Sequence, residues 1–180
     1  YDVPEQLGRA YNDWLGAEAV RDLALHTGDF PRAIRFIDNG GLGIAAPRNL
    51  SSLTVFSAVP LAHVLQANGQ RAESEKLLDD TLAWVSRKPD ATQDSMLWWP
   101  HRRVRADALA LQGQRDAAVE ELAEALRSGE RTDWWYTIER DPVWDSLRSD
   151  PRFRAIAAEA RTHAAAQRGL LEEMRRKGEV

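Results

Sequence analysis

The sequence contains no cysteine, which excludes disulfides, thiolate metal ligands and a thiol nucleophile. It also has no apolar run long enough to span a bilayer. The most apolar stretch, residues 53–65, is too short and contains Pro60 and His63. We therefore expect a cytoplasmic protein that makes no contact with a membrane.

An excess of basic residues is missing as well. The chain carries 24 basic and 28 acidic residues, for a net charge of −4, and its isoelectric point is near 5.6. Nucleic-acid-binding domains are usually basic. The nearest approach to a basic, aromatic patch is residues 101–105 (HRRVR), which follow Trp98 and Trp99 closely. We interpret this run as a solvated helix face paired with acidic neighbours, and we expect no direct binding of nucleic acid.

Residue types that carry catalysis or bind cofactors form no recognisable motif. The four histidines are far apart and include no HxxxH pair, so we expect no metal site. The glycine cluster at residues 40–43 has no preceding strand and no following GK[ST], so we interpret it as a linker and not as a phosphate loop. No Ser-His-Asp set can be argued from spacing. We expect no cofactor and no enzymatic activity.

The composition is rich in alanine, leucine, glutamate and arginine, which is typical of an all-α fold. In the first predicted helix, about residues 4–26, one apolar face recurs every three to four residues, at Leu7, Ala10 or Tyr11, Trp14, Ala17, Val20 or Arg21, and Ala24. Further helices are predicted at about residues 30–37, 50–67 (capped by Asn49), 71–86, 98–112, 115–128 and 151–177. Asp-Pro steps at residues 141–142 and 150–151 predict helix starts, because Asp can cap a helix and Pro favours its first position.

Three glycines, Gly28, Gly69 and Gly113, open segments of the same kind, namely GDFPRAIRFI, GQRAESEKLL and GQRDAAVEEL. Each segment has a small residue five positions after the glycine and a large aliphatic residue nine positions after it. The small residues are Ala33, Ser74 and Ala118, and the aliphatic ones are Ile37, Leu78 and Leu122. Such a recurrence predicts helix-turn-helix units that stack on one another.

This repeat resembles the tetratricopeptide repeat (TPR) family. The third unit carries the resemblance best, with Ala106, Leu109, Gly113, Ala118, Leu122 and Ala125 at consensus positions. The glycines are 41 and 44 residues apart, against 34 in the consensus, so helices or loops must be longer. The resemblance implies one TPR-like solenoid domain over residues 1–180, with units at about 4–37, 50–86 and 98–128 and a cap at 134–180.

The C-terminal stretch DPVWDSLRSDPRFRAI, with its helix ending QRGLLEEMRRKGEV, is similar to the tail that closes TPR regions in many bacterial multidomain regulators. Those regulators carry an N-terminal winged-helix transcriptional-regulator domain, an adenylate cyclase or a protein kinase. The resemblance implies that this chain is the sensor or interaction part of such a protein, and a fragment of a longer polypeptide.

In a TPR stack the first helix of each unit lines a concave groove. Counted back from each glycine, the groove residues are Glu18, Asp22 and His26, then Val59, His63 and Gln66, then Arg103, Asp107 and Ala110. This polar set around an apolar floor predicts binding of an extended peptide or a helix. The expected partner is a protein, a peptide or another domain of the same polypeptide.

We therefore interpret the chain as an interaction scaffold in a bacterial signalling or transcriptional regulator. The alternative is a small-molecule sensor whose ligand is held in the superhelix; an enzyme domain ranks third. Seven tryptophans are present. We predict one buried member in each pair, Trp98 with Trp99 and Trp134 with Trp135, and Trp144 buried beside Phe153. The sequence leaves the oligomeric state open.

Overall fold

The regular secondary structure of the chain is helical wherever the structure describes it. The computed structural model describes residues 3–38, 50, 51, 54–87, 101–129 and 138–179. In chain order the helices are α1 (Val3–Thr27), α2 (Phe30–Asp38), α3 (Val55–Ala67), α4 (Arg71–Val85), α5 (His101–Leu111), α6 (Arg115–Arg127), a 3₁₀ helix (Pro142–Leu147) and α7 (Pro151–Lys177). No residue in the described ranges lies in a strand, so the predicted all-α class is confirmed there.

The three repeat glycines end α1, α3 and α5, as their spacing predicts. All three have a positive φ, of 78° at Gly28, 81° at Gly69 and 76° at Gly113, a conformation that disfavours residues with a Cβ. After Gly69, the backbone amide of Gln70 donates to the Leu65 carbonyl at 2.9 Å. This bond is the signature of a Schellman turn, which satisfies carbonyls left unpaired at a helix end. The hairpins therefore follow from local backbone chemistry.

The small residues of the repeat lie at helix contacts. Ala33, Ser74 and Ala118 are all buried, as are the aliphatic residues four positions later. Ser74 of α4 also donates its hydroxyl to the Ala62 carbonyl of α3 at 2.8 Å. A small residue at this position lets the two helices approach closely, and in the second unit its hydroxyl adds a hydrogen bond across the hairpin.

Helix α3 occupies the centre of the packed helices. It contacts α1, α2, α4 and α5, and most of its residues are buried, Pro60 among them. A helix that is apolar on all sides requires such a position. Further along the chain, α5 contacts α4, α6 and the 3₁₀ helix, and α7 packs against α6.

The start of α3 differs from the predicted one. The helix begins at Val55, and Asn49 lies outside the described residues. The preceding turn is closed by Ser51 and Thr54: the Ser51 amide donates to the Thr54 hydroxyl at 2.9 Å, and the Thr54 amide donates to the Ser51 hydroxyl at 3.3 Å. These reciprocal bonds satisfy backbone amides that a helix start leaves without partners, and they move the start beyond the predicted cap.

Both Asp-Pro steps cap helices. The Asp141 carboxylate accepts from the Val143 amide at 3.0 Å at the start of the 3₁₀ helix. Asp150 accepts from the Arg152 amide at 2.9 Å at the start of α7. The first step thus begins a 3₁₀ helix and the second an α-helix, which ends at Gly178 with a left-handed φ of 72°.

The predicted aromatic cap is present where the structure describes it. Trp144 and Phe153 are both buried, and their ring centroids lie 5.7 Å apart. The two tryptophan pairs of the sequence analysis lie outside the described residues, so the prediction of one buried member per pair is untested.

Candidate binding site

A cluster of buried charges joins α1, α5 and the residue before the 3₁₀ helix. We call Glu18, Arg21, Arg103, Asp107 and Asp141 the acid–arginine cluster. Its centre is Asp141, whose Oδ1 lies 3.1 Å from Arg21 Nη2 and whose Oδ2 lies 3.5 Å from Arg103 Nη2. The three side chains are at most 4% exposed. One carboxylate therefore pairs with guanidinium groups from two different helices.

Helical spacing supplies the remaining members. On α5, Arg103 and Asp107 are one turn apart, with Nε and Oδ2 separated by 3.4 Å. On α1, Glu18 reaches Arg103 at 3.9 Å, and Asp22 lies 2.8 Å from the Arg21 Nε. Asp22 is 53% exposed, whereas the Glu18 side chain is 14% exposed. The cluster thus extends from Asp141, which is buried, to an edge that solvent reaches at Asp22.

Asp141 is held in place by two further sets of bonds. It caps the 3₁₀ helix, as described above, and its backbone carbonyl accepts from Arg148 at 3.0 Å. Arg148 also donates to the Glu139 carbonyl at 2.6 Å and pairs with Asp145 at 2.7 Å. A carboxylate fixed in this way loses little side-chain entropy when it pairs with the two arginines.

Negative charge is in excess within the cluster, because it contains three carboxyl groups and two guanidiniums. Burial raises the pKa of Glu18 to about 7, with the negative charge of Asp141 adding to the rise and Arg103 opposing it. Burial likewise raises the pKa of Asp107 to about 7, against the opposing effect of Arg103. Near neutral pH, protons therefore offset part of the unbalanced charge.

The arginines remain charged. Burial alone would lower the pKa of Arg21, but the carboxylates of Asp141, Asp22 and Glu18 together raise it above its ordinary value. Such a network is costly to desolvate, and it is retained only where each charge has partners.

His63 of α3 lies beside this cluster. Burial lowers the pKa of His63 to about 4, and the positive charge of Arg21 lowers it further. Its Nδ1 is buried and has no hydrogen-bond partner among the described residues. The same holds for Oδ1 of Asp107. Two polar atoms without partners, one on α3 and one on α5, are unusual in a protein interior.

The predicted groove residues take different positions. Glu18, Arg103 and Asp107 come together in the cluster, with Asp22 at its edge and His63 beside it. The other four lie elsewhere: His26 is exposed, Val59 and Ala110 are buried in the hydrophobic core, and Gln66 donates to the Leu111 carbonyl at 3.5 Å.

Sequence reasoning missed Arg21 and Asp141 as members of the site. A signal for Arg21 was present, because a charged residue on the apolar face of α1 must find a buried partner. Asp141 was recognised only as a helix cap. Its second role depends on the approach of α1 and α5, which no local pattern encodes.

The basic run at residues 101–105 forms no free patch. Arg103 is buried in the acid–arginine cluster. Arg102 and Arg105 both pair with Glu121 of α6, at 3.5 and 3.0 Å. The predicted pairing with acidic neighbours is therefore present at all three arginines, but the predicted solvated face is wrong at Arg103, which is buried.

Other kinds of site are not seen in the part of the chain that the structure describes. No helix there is long and apolar enough to cross a membrane, and no group of three His, Asp or Glu side chains there is arranged to hold a metal ion. No protein-family model matches the chain, and neither a curated protein nor a solved structure is significantly similar to it.

Proposed function

We propose that this chain is a TPR-like interaction scaffold of a bacterial signalling or transcriptional regulator. In this proposal, α1, α3 and α5 form the face that binds a polypeptide segment, supplied by a partner protein or by another domain of the same polypeptide. The packing order supports a stack of hairpins, because α1 contacts α3 and α3 contacts α5 while each also contacts the helix that follows it.

The observation that carries the proposal is the acid–arginine cluster. Its members come from α1 and α5, the first helices of the first and third units, and His63 of α3 lies beside it. The cluster has one more carboxyl group than it has guanidinium groups, and a buried Asp107 oxygen has no hydrogen-bond partner among the described residues. We infer that the bound segment presents a lysine or arginine side chain to Glu18 and Asp22, at the edge that solvent reaches.

Binding of a cation at this edge should release protons. The pKa of Glu18 is raised to about 7 by burial, and a ligand cation beside the carboxyl group would lower it again. A basic segment would therefore bind more tightly above pH 7 than below it, because at low pH it must displace a proton.

The test uses fluorescein-labelled short peptides in an alanine and serine background, one set containing lysines and one containing glutamates. Fluorescence anisotropy at about 0.15 M salt measures their affinity. We expect the lysine peptides to bind and the variant E18Q/D22N to bind them at least about tenfold more weakly, which is about 1.4 kcal/mol. The control is E75Q, which removes an exposed carboxylate on α4 that pairs with Arg71.

Equal binding of lysine and glutamate peptides would contradict the proposal, as would an equal loss in E18Q/D22N and E75Q. Calorimetry in buffers of different ionisation enthalpy checks the proton count at pH 7. Binding of the lysine peptides without proton release would show that they do not contact Glu18.

A small-molecule sensor is the second candidate, and a specific observation favours it. The Nδ1 of His63 and Oδ1 of Asp107 are both buried without partners among the described residues, and either could accept a hydrogen bond from a compact cationic ligand. Spermidine, agmatine and lysine amide are suitable probes in a thermal-shift assay, because a ligand stabilises the protein in proportion to the logarithm of its concentration over Kd. Stabilisation by one of them that is lost in D107N, together with no peptide binding, would favour the sensor.

A further inference from the structure

Helix α7 extends well beyond the part of it that is packed. It has 27 residues and is therefore about 40 Å long. Its buried residues are Phe153, Ile156, Ala157 and Ala160, all in its first half. From Arg161 to Lys177 none of its residues is buried. Most residues of the second half are thus exposed to solvent, and only His163, Ala164 and Met174 are partly covered.

The apolar face does not stop where the packing stops. The residues that continue it at helical spacing are His163, Ala164, Gln167, Leu170, Leu171 and Met174. Leu170 is 53% exposed and Leu171 is 40% exposed. Large aliphatic residues on a continuous stripe beyond a packed contact are typical of a surface that another helix covers.

A row of arginines lines one edge of this stripe. Arg154, Arg161, Arg168 and Arg175 are seven residues apart, so they lie two turns apart along nearly the same edge. All four are exposed. The segment from Arg161 to Lys177 contains five basic residues (Lys and Arg) and two acidic ones, although the whole chain has a net charge of −4. The exposed half of α7 is therefore a basic segment of an acidic protein.

One member of the row already pairs with a carboxylate of the chain. Arg161 pairs with Glu139 at 2.7 Å, at the junction between the packed half and the exposed half. The packed half thus combines a buried apolar stripe with a carboxylate on the arginine edge. The exposed half repeats the stripe and the edge, with Leu170, Leu171, Arg168 and Arg175.

We propose that the second half of α7 binds an acidic amphipathic helix, presented by a partner protein or by another domain. The partner helix places apolar side chains against Leu170, Leu171 and Met174, and its carboxylates pair with Arg168 and Arg175. The packing is of the coiled-coil kind, in which edge charges select the partner. Gln167 within the stripe sets the register, because a polar residue there requires a polar group opposite.

The same features disfavour two other occupants. A second copy of α7 running antiparallel would set its arginine edge against the same edge of the first copy, and like charges would repel. A membrane surface is favoured by aromatic anchors and by a polar face rich in basic residues. This half contains no Trp, Tyr or Phe, and its polar face includes Glu172 and Glu173.

The experiment uses two synthetic helical peptides with the same leucine and alanine seam, one with glutamates and the other with lysines at the edge positions. Anisotropy titrations measure binding to the whole chain in the E18Q/D22N background, in which the lysine peptide cannot bind at the edge formed by Glu18 and Asp22. We expect the glutamate peptide to bind with a micromolar Kd, since a few helical turns bury less area than a standard interface, and the lysine peptide to bind at least about tenfold more weakly.

Two variants test the two parts of the surface. L170S/L171S should abolish binding, and R168E/R175E should reverse the preference so that the lysine peptide binds better. Leu23, which is 62% exposed on α1, supplies the control L23S, and exposed Arg71 supplies R71E. Neither control should alter Kd. Because the substituted residues of α7 are not buried, thermal melts should match that of the unchanged chain.

Three outcomes would overturn the inference. One is an unchanged preference in R168E/R175E. Another is concentration-dependent dimerisation in light scattering that L170S/L171S removes, which would assign the stripe to a second copy. The third is binding to phosphatidylserine-containing vesicles that L170S/L171S removes, without peptide binding, which would assign the stripe to a membrane surface.

Discussion

Arg21 Nη2 of α1 lies 3.1 Å from Asp141 Oδ1, and both side chains are almost completely buried. This pair joins the first helix to a residue near the other end of the chain. Because Asp141 also caps the 3₁₀ helix and pairs with Arg103, one carboxylate joins three separate segments. The same pair supports the candidate binding site, since it holds α1 beside Asp141 and thereby positions Glu18 near the Arg103–Asp107 pair of α5.

The substitution D141N tests this coupling. It keeps an oxygen for the Val143 amide but removes the charge, so two buried guanidiniums lose their shared carboxylate. Removing one partner of a buried pair costs about 3–5 kcal/mol, and we expect a fall in unfolding free energy of this size in urea denaturation. The exposed Asp145, which pairs with Arg148, supplies the control D145N, for which we expect less than about 1 kcal/mol. Equal losses of unfolding free energy in D141N and D145N would mean that burial does not make the Asp141 ion pairs more important for stability than an exposed pair.

The raised pKa of Asp107 predicts a pH-dependent stability. Burial raises it from 3.8 to about 7 against the opposing charge of Arg103, with Asp141 adding to the rise and Arg21 opposing it. Between these pH values the folded state binds more protons than the unfolded state. Its contribution to stability is therefore complete below about pH 4 and is lost as pH rises through 7, by up to about 1.4 kcal/mol per pH unit.

Urea denaturation from pH 5 to 8 measures this contribution as the difference between the unchanged chain and D107N. As the pH rises, the unchanged chain should lose unfolding free energy relative to D107N. The pKa of Glu18 is raised to about 7 by burial, and the negative charge of Asp107 adds to this rise, so the comparison measures Asp107 together with its effect on Glu18. Asp116, with a side chain 88% exposed, supplies the control D116N. A difference that is constant with pH in D107N would contradict the raised pKa.

The lowered pKa of His63 predicts a pH dependence of stability opposite in sign to that of Asp107. Its pKa is lowered from 6.5 to about 4 by burial and by the charge of Arg21, so the unfolded state binds the proton more readily. The stability is present above pH 6.5 and is lost as pH falls towards 4, by up to about 3 kcal/mol. The variant H63Q should lose less stability than the unchanged chain over this range. H26Q, at an exposed histidine, is the control, and parallel pH profiles for all three proteins would exclude the effect.

The position of Ala118 at a helix contact predicts that a larger side chain there lowers stability. Its side chain is fully buried, so the larger side chain in A118L must displace neighbouring atoms and should cost about 1–3 kcal/mol. Thermal and urea denaturation measure the loss. Ala72 on α4 is exposed, and A72L should change stability little. If A118L melts at the same temperature as the unchanged chain, the α5–α6 contact is not tightly packed at that point.

Substitution of Gly113 should lower stability only through the backbone conformation at that residue. Its φ is 76°, and a Cβ added there would meet no atom within 4 Å. G113A should therefore lose about 1–2 kcal/mol through the left-handed conformation alone. Gly169 lies inside α7, and a Cβ there also meets nothing within 4 Å, so G169A should gain about 1 kcal/mol through helix propensity. Urea denaturation of both proteins should show changes of opposite sign, and a loss in G169A would contradict the account.

The sequence by itself determined the features that depend on neighbouring residues. The glycine turns, the Asp-Pro caps and the helices between them follow from hydrogen bonds and dihedral angles within a few residues, and periodic apolar positions indicate which face of each helix is buried. Counting back from the glycines also found Glu18, Arg103 and Asp107, because residues one turn apart share a helix face. The start of α3 was placed too early because several polar residues before Val55 could serve as its cap.

Only the tertiary structure decided which charges meet. Arg21 and Asp141 lie far apart in the sequence, and their pairing depends on how α1, α5 and the 3₁₀ helix pack together. The raised pKa values of Glu18 and Asp107 and the lowered one of His63 likewise depend on burial, which is a property of the packed helices and of no single segment. Helix formation is local, whereas desolvation and the Coulomb interaction act between whatever groups the fold brings close.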